Sequence, residues 1–297
     1  MIYGITGNTR KDALWAPVAS LVAWLQRHDL PFLLGANVAA GLVERGLVSA
    51  EVARLYGTPS LANKAQLILS FGGDGTLLRT AHDAGAQGTP ILGINIGRMG
   101  FLAEVAVSRV EETMLSLEAG AYSIDERLVL AVAIEGEAVE RRWALNDVVI
   151  ARTGSAGLIA LDVAADNILL NRYWADGLIV ATPTGSTAYS LSAGGPIVAP
   201  GSDVIVLSPI APHSLTVRPI VLSSDSVLTV RVTGGHLPYV VAIDGASSAP
   251  REDSVAITIR QAAHRINLVK LSDRHYFQTL RSKLSWGLGP QGGAESS

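Results

Sequence analysis

The chain has 297 residues, 48% of them apolar and only 16% charged, with 30 glycines, no cysteine and a formal net charge of −3. That is enough chain for one large or two medium domains with sizeable cores. A slightly acidic chain without any run of three basic residues argues against nucleic acid or an anionic membrane as the main partner, and the absence of cysteine excludes disulfides, zinc–thiolate sites and cysteine catalysis.

The start, Met1-Ile2-Tyr3-Gly4-Ile5-Thr6-Gly7, reads as a strand running into a glycine turn. It lacks the basic head and long apolar stretch of a signal peptide, and no apolar run approaches the roughly 18 residues of a membrane span. The expectation is a cytoplasmic protein with no membrane partner. Residues 2–6 read as a short strand, and 12–27 as a helix with Leu14, Val18, Leu21, Val22 and Leu25 at helical spacing. A strand at 30–34, a helix at 48–56 and a buried strand at 67–71 follow. Then come a helix opening at Gly75-Thr76 and running to 84, a strand at 90–94 and an amphipathic helix at 110–117. Strand and helix in alternation imply βαβ units and a mostly parallel sheet.

After about residue 123 the pattern turns to strands, at 128–134, 141–151, 158–163, 168–170, 178–181, 204–207, 227–232, 239–243, 255–260 and 264–271. Turn residues such as Gly234-Gly235 and Asp244-Gly245 separate them. Residues 276–286 become helical again, and 287–297 are Gly/Ser-rich. The expected fold is therefore a Rossmann-like α/β domain over 1–122 and an all-β domain over 123–272. A helical tail over 273–297 packs back on the first domain, its last ten or so residues flexible.

Four motifs carry chemistry. The first is Gly72-Gly73-Asp74-Gly75-Thr76, directly behind the apolar run Leu67-Ile68-Leu69-Ser70-Phe71. Glycines pack nothing, but they let the backbone approach a ligand and line up N–H groups for an anion, and a helix start favours phosphate. It is neither a Walker loop nor a Gly-x-Gly-x-x-Gly fingerprint. The plainer alternative is a tight turn with Asp74 as N-cap, yet three glycines around one acid exceed what a cap needs. Gly72, Gly73, Gly75 and Thr76 are thus candidates to cradle a phosphate donor. Arg79, about one turn further on, is the nearest cation, with a plain surface charge as its alternative.

The second motif, Gly93-Ile94-Asn95-Ile96-Gly97-Arg98-Met99-Gly100-Phe101-Leu102, brings another strand into glycines at the same sheet edge, where ligands bind; a plain βα loop is the alternative. The third, Leu145-Asn146-Asp147-Val148, puts polar residues inside a strand-like run, so that one of Asn146 and Asp147 faces inward and needs a partner; a turn is the alternative. The fourth runs from Asp176-Gly177 through Thr182-Pro183-Thr184-Gly185-Ser186-Thr187-Ala188-Tyr189-Ser190-Leu191-Ser192 to Gly194-Gly195-Pro196. Its many neutral hydroxyls suit ribose hydroxyls, an adenine edge or phosphate oxygens; a glycine-rich surface loop with helix capping is the alternative. Asp244-Gly245 reads first as a hairpin turn, with ligand contact by Asp244 as a secondary expectation. The six histidines are scattered and suggest no permanent metal site.

Together, in this order and spacing, these motifs closely resemble the NAD kinase family, over about residues 67 to 245. The pentad alone also occurs in diacylglycerol-type lipid kinases and, as a variant, in phosphofructokinases. The segment from Thr182 to Tyr189 with Gly194-Gly195-Pro196 is far more particular. The resemblance implies an α/β domain and a β domain with NAD bound between them, and a homodimer or homotetramer. It implies that Asp74 contacts the acceptor ribose with Gly75 beside it, and that Asn146 and Asp147 hold the dinucleotide. Asp176 would contact the nicotinamide half. Thr187, Ala188, Tyr189, Ser190 and Ser192 form the adenosine-binding run, and Ala211 contacts the ligand. Two departures stand out: Asp147 replaces the family's usual Glu, one methylene shorter, and Trp174 stands where many relatives carry a basic or small residue.

The implied reaction is phosphorylation of the adenosine-ribose 2′-hydroxyl of NAD by ATP or polyphosphate, with Mg²⁺ carried by the donor. Asp74 aligns the hydroxyl and accepts its proton late, because an aspartate is far too weak a base to deprotonate a ribose hydroxyl in the ground state. The donor phosphates rest on the N–H groups of Gly73, Gly75 and Thr76. The rivals are a lipid or sugar kinase sharing the pentad, and a non-catalytic NADP sensor.

Overall fold

A computed structural model describes residues 1–97, 100–137, 142–154, 157–234, 237–272 and 275–286. The chain forms two compact units, Met1–Asp125 with the chain from Asn267 onward, and Glu126–Ile266.

In the first unit, β1 (Tyr3–Gly7) is followed by α1 (Trp15–Arg27), β2 (Phe32–Gly35), α2 (Ala36–Glu44), α3 (Ala50–Tyr56), β3 (Gly57–Thr58) and β4 (Leu67–Gly72). Then come α4 (Asp74–Ala84), β5 (Ile91–Asn95), β6 (Val105–Ala106) and α5 (Val110–Glu118). The sheet order is β5-β4-β1-β2-β3, every pairing parallel, with β6 beside β5. Because the strands are parallel, Gly7, Gly35, Gly72 and Asn95 all end at one edge, and Gly72 sits directly opposite Asn95. All six residues of β4 are buried, as expected for a strand covered on both faces. The apolar stripe of α1, including Val18, Leu21, Val22 and Leu25, with Leu14 just before it, packs on Tyr3, Ile5, Leu69 and Phe71. Each fully buried side chain of this size is worth about 1.5–3 kcal/mol.

The second unit is built from antiparallel strands. One sheet holds β9 (Asp147–Arg152), β12 (Gly177–Ala181), β13 (Val204–Ile210), β14 (Ile220–Ser223), β16 (Tyr239–Ile243) and β17 (Ala246–Ser247), in the order β14-β13-β12-β9-β16-β17. Facing it are β10 (Ile159–Ala165), β11 (Ile168–Ala175), β15 (Leu228–Gly234) and the first part of β18 (Ala256–Leu271), with β7 (Tyr122–Ile134) and β8 (Arg142–Ala144). Their inner residues, among them Leu130, Ile150, Leu161, Tyr173, Val180, Leu207, Val230 and Ile257, form one core. α6 (Tyr189–Ser192) is a single turn. The end of β18 pairs in parallel with β5 in the first unit, Leu268 opposite Ile91, and α7 (Tyr276–Leu284) follows it.

The structure departs from the sequence pattern in several places. The helix α2 escapes the pattern because Asn37 and Gly41 depress helix propensity. Gly41 is there because the ring of Trp15 lies against it and leaves no room for a Cβ. The run expected over 141–151 breaks at Leu145-Asn146, and β8 and β9 belong to different sheets. β14 is an additional strand, and the strands expected at 255–260 and 264–271 are one continuous strand. Arg98, Met99, Arg141, Gly235 and the Gly/Ser-rich tail over 287–297 lie outside the described residues.

Candidate functional site

In the first unit the pentad joins β4 to α4. Gly73 is the residue before the helix, and Asp74 opens it. A Cβ at Gly72 would overlap the Thr76 side chain, whereas at Gly73 and Gly75 it would meet nothing within 4 Å. These two glycines therefore leave the backbone open to close approach by a ligand. The Thr76 N–H is spent inside the turn, donating to the Gly73 carbonyl at 2.9 Å. That bond engages the N–H within the turn and leaves the Thr76 hydroxyl as its further polar group. Beneath the loop, Thr80 Oγ1 donates to the Thr76 carbonyl at 3.0 Å and lies 2.8 Å from Ser70 Oγ, which ties α4 to β4.

The Asp74 carboxylate is held by three successive backbone N–H groups. Phe101 donates to Oδ2 at 2.8 Å, and Leu102 and Ala103 donate to Oδ1 at 3.0 and 3.1 Å. The second motif thus meets the first. Asn95, buried at the end of β5, steadies the same loop: its Oδ1 accepts from Gly97 at 2.6 Å and its Nδ2 donates to the Ala103 carbonyl at 3.4 Å. On the flank of α4 a cleft of about 660 Å³ is lined by Thr6, Asn8, Asn37, Ser60, Thr76 and Arg79, among others. Arg79 is exposed there.

In the second unit the third and fourth motifs also come together. Asp244 and Gly245 both have positive φ (47° and 81°), the conformation of a tight hairpin turn between β16 and β17. The Asp244 carboxylate accepts from Leu145 (2.8 Å), Asn146 (2.7 Å) and Asp147 (3.2 Å), all backbone N–H groups. These bonds satisfy the donors freed where β8 ends and β9 begins. The Asn146 carbonyl accepts from the Thr182 N–H at 2.9 Å, and the Leu145 carbonyl from Thr182 Oγ1 at 2.6 Å. A Cβ on Gly185 would overlap the Asn146 backbone, so only glycine lets the two segments lie this close.

Asp147 is the inward-facing member of its pair, 6% exposed. No hydrogen bond to its carboxylate is seen among the described residues. Burial, and then the nearby Asp244 charge, push its carboxyl up to about 7. Thr182, Thr184, Ser186 and Ser190 are all buried, and their hydroxyls bond within the protein. Ser186 Oγ donates to the Pro183 carbonyl at 2.7 Å, and Ser190 Oγ lies 2.9 Å from Ser208 Oγ. In this structure these four hydroxyls brace the loop. Thr187, Ala188, Tyr189 and Ser192 retain exposed surface.

Asp176 accepts from Arg152 Nε at 2.7 Å. Its backbone N–H donates to the Ile210 carbonyl at 3.0 Å, which brings Ala211 alongside. Ala211 has φ of 43°, a left-handed conformation uncommon without glycine. Such strain clusters at functional positions. Trp174 is 48% exposed, and its carbonyl accepts from the His213 N–H at 2.8 Å.

Sequence reasoning missed Arg127, which is buried and donates from Nη1 to Thr184 Oγ1 at 3.0 Å. A lone arginine before the apolar stretch Leu128-Val129-Leu130 is its only signal. Among the described residues no group of three or more metal-ligating side chains is placed to hold an ion, and no helix is long and apolar enough to cross a membrane.

Residues 4–122 match the ATP-NAD kinase N-terminal domain family, and residues 145–271 the ATP-NAD kinase C-terminal domain family. An NAD kinase of Bacteroides fragilis is 38% identical over 288 residues, covering 97% of this chain and 98% of the relative. One from Geobacter sulfurreducens is 40% identical over 272 residues, covering 91% and 93%. The fold is similar to that of yeast NADH kinase solved with NADH (TM-score 0.88, 24% identity, 99% and 90% coverage). It is also similar to that of an NAD kinase from Archaeoglobus fulgidus solved with ATP (TM-score 0.72, 24% identity, 96% and 99% coverage).

Proposed function

The chain belongs to the ATP-NAD kinase family, and from that premise we infer that it is an NAD⁺ kinase, transferring the terminal phosphate of ATP to NAD. The observation that carries this is the match of both halves, over 4–122 and 145–271, to the two domains of that family. The acceptor is the adenosine-ribose 2′-hydroxyl and the product NADP. The hydroxyl oxygen attacks the terminal phosphorus, the bridging P–O bond breaks, and ADP leaves with the bonding pair.

Asp74 is the residue assigned to the hydroxyl. It orients the oxygen and accepts its proton as the P–O bond forms, after which the proton passes to solvent. In a loose transition state such positioning outweighs basicity. The open backbone at Gly73 and Gly75, with Arg79 exposed on the same helix, supports placing the donor phosphates at the head of α4, where a helix start favours anions. A Mg²⁺ ion carried in on the donor phosphates belongs to this reading. When bound it neutralises the phosphate charge.

In the second unit, Asn146, Asp147, Asp176, Ala211 and Asp244, with Thr187, Ala188, Tyr189, Ser190 and Ser192, are assigned to the dinucleotide. Asp244 acts there by fixing the backbone of Asn146 and Asp147, and Ser190 through its backbone, because its hydroxyl is enclosed. Polyphosphate as an alternative donor, a homodimeric or homotetrameric state and a cytoplasmic location belong to the same reading.

The test is to incubate the pure protein with NAD, ATP and Mg²⁺ and to assay NADP with an NADP-specific dehydrogenase. NADP formation is expected. Dinucleotide binding without turnover would favour a sensor, and phosphorylation of a lipid or sugar in place of NAD would favour the rival kinases.

A further inference from the structure

We propose that the turn at residues 100–103 is the positioning element for Asp74, and that Gly100 is the residue whose lack of a side chain makes the position possible. This rests on the reading of Asp74 as the group that meets the acceptor hydroxyl.

An ionised carboxylate offers about four lone-pair sites. Leu102 and Ala103 fill both sites on Oδ1, and Phe101 fills one on Oδ2. The last site belongs to Oδ2. Oδ2 is therefore the atom that takes the hydroxyl proton, and Oδ1 is the anchor. Three consecutive N–H groups converging on one anion form a concavity with fixed geometry. The concavity is itself pinned, because Asn95 grips the loop at Gly97 and at Ala103, and the Gly100 N–H points back to the Ala103 carbonyl at 3.4 Å. The carboxylate thus cannot rotate without breaking three bonds at once.

Gly100 leaves the carboxylate its space. A Cβ built there would have Oδ1, Cγ and Oδ2 of Asp74 as its three nearest atoms, all nearer than 3.0 Å. The objection to a side chain at position 100 is the Asp74 carboxylate itself. The second glycine motif, which reads from sequence as a loop at a ligand-binding edge, thereby makes room for the acid of the first.

The test is a double-mutant cycle with Gly100→Ala and Asp74→Asn, read as kcat and KM for NAD, alongside a second cycle with Asp74→Ala read as Tm. Gly100→Ala should lower kcat by about tenfold or more while the NAD KM stays within about threefold, the mark of lost positioning rather than lost binding. In the Asp74→Asn background the same change should alter kcat by less than about twofold, because its effect passes through the acid. Gly100→Ala should lower Tm when Asp74 is present and leave it unchanged once Asp74→Ala has emptied the space. The Tm cycle decides the matter even where residual turnover is too small to measure. Unaltered kcat in Gly100→Ala, or equal losses of kcat or Tm in both backgrounds, would overturn the proposal. Absence of NADP formation by the wild-type protein would instead sink the kinase reading, and the Tm cycle would still report on the contact.

Discussion

The two units use the same device for opposite ends. In each, one aspartate accepts from three successive backbone N–H groups: Asp74 from residues 101–103, Asp244 from residues 145–147. Asp74 heads a helix beside two glycines open to approach, so the acid that is clasped is also the acid assigned to chemistry. Asp244 sits in a hairpin turn and braces the break between β8 and β9, and a different acid, Asp147, is left buried beside it. Clasping therefore does not mark a catalytic carboxylate. What separates the two is the backbone they sit on: Asp74 opens a helix, whose start favours an anion, and Asp244 closes a hairpin turn.

Substitutions at the acids can break this contrast. The largest effect is expected from Asp74→Asn. Turnover should fall by on the order of 100-fold or more, as for loss of a positioned proton acceptor, while NAD binding measured by calorimetry stays near normal. Near-normal NADP formation would remove Asp74 from its assigned role. Asp244→Ala should act on stability first. It strands three backbone donors, each costing about 1–3 kcal/mol where buried, and urea unfolding should show a drop of at least one such increment. Unchanged stability would mean that water replaces the clasp.

Asp147 sharpens the comparison through pH. Its folded carboxyl lies at about 7 against an ordinary value of 3.8, so the folded protein binds more protons than the unfolded chain between these values. Its contribution to stability is therefore lost as pH rises from about 4 to about 7 and is flat above that. Asp147→Asn should remove this slope and gain on the order of 1–4 kcal/mol at pH 8 relative to wild type. A parallel pair of stability–pH curves would show that Asp147 titrates normally. The smallest effect is expected from Arg79→Gln, an exposed cation in the cleft beside α4. It should raise the ATP KM a few-fold, consistent with about 0.2–1 kcal/mol for an exposed charge contact, and leave the NAD KM unchanged. A shifted NAD KM would move Arg79 to the acceptor side.

The pentad is legible in the sequence because its two flanks have opposite patterns. The buried residues of β4 run straight into glycines, and α4 shows its apolar stripe at once. The clasps are not legible, since Asp244 reaches across 99 residues to Leu145 and local sequence carries no record of that distance. The hydroxyl-rich loop is half legible. The sequence places Thr182, Ser186 and Ser190 together, but cannot tell a hydroxyl turned to a ligand from one turned to its own backbone. The break after Ala144 is hidden by Leu145, an apolar residue that reads as continuous strand, and α2 by the glycine that makes room for Trp15.

Phosphorylation of the adenosine-ribose 2′-hydroxyl of NAD is measured most directly by ³¹P NMR of the product formed from NAD, ATP and Mg²⁺, with ADP counted alongside. One ADP per phosphorylated dinucleotide is expected, with a single new phosphomonoester resonance that matches authentic NADP. ADP released without a new dinucleotide resonance, or a phosphomonoester at any other position, would contradict it.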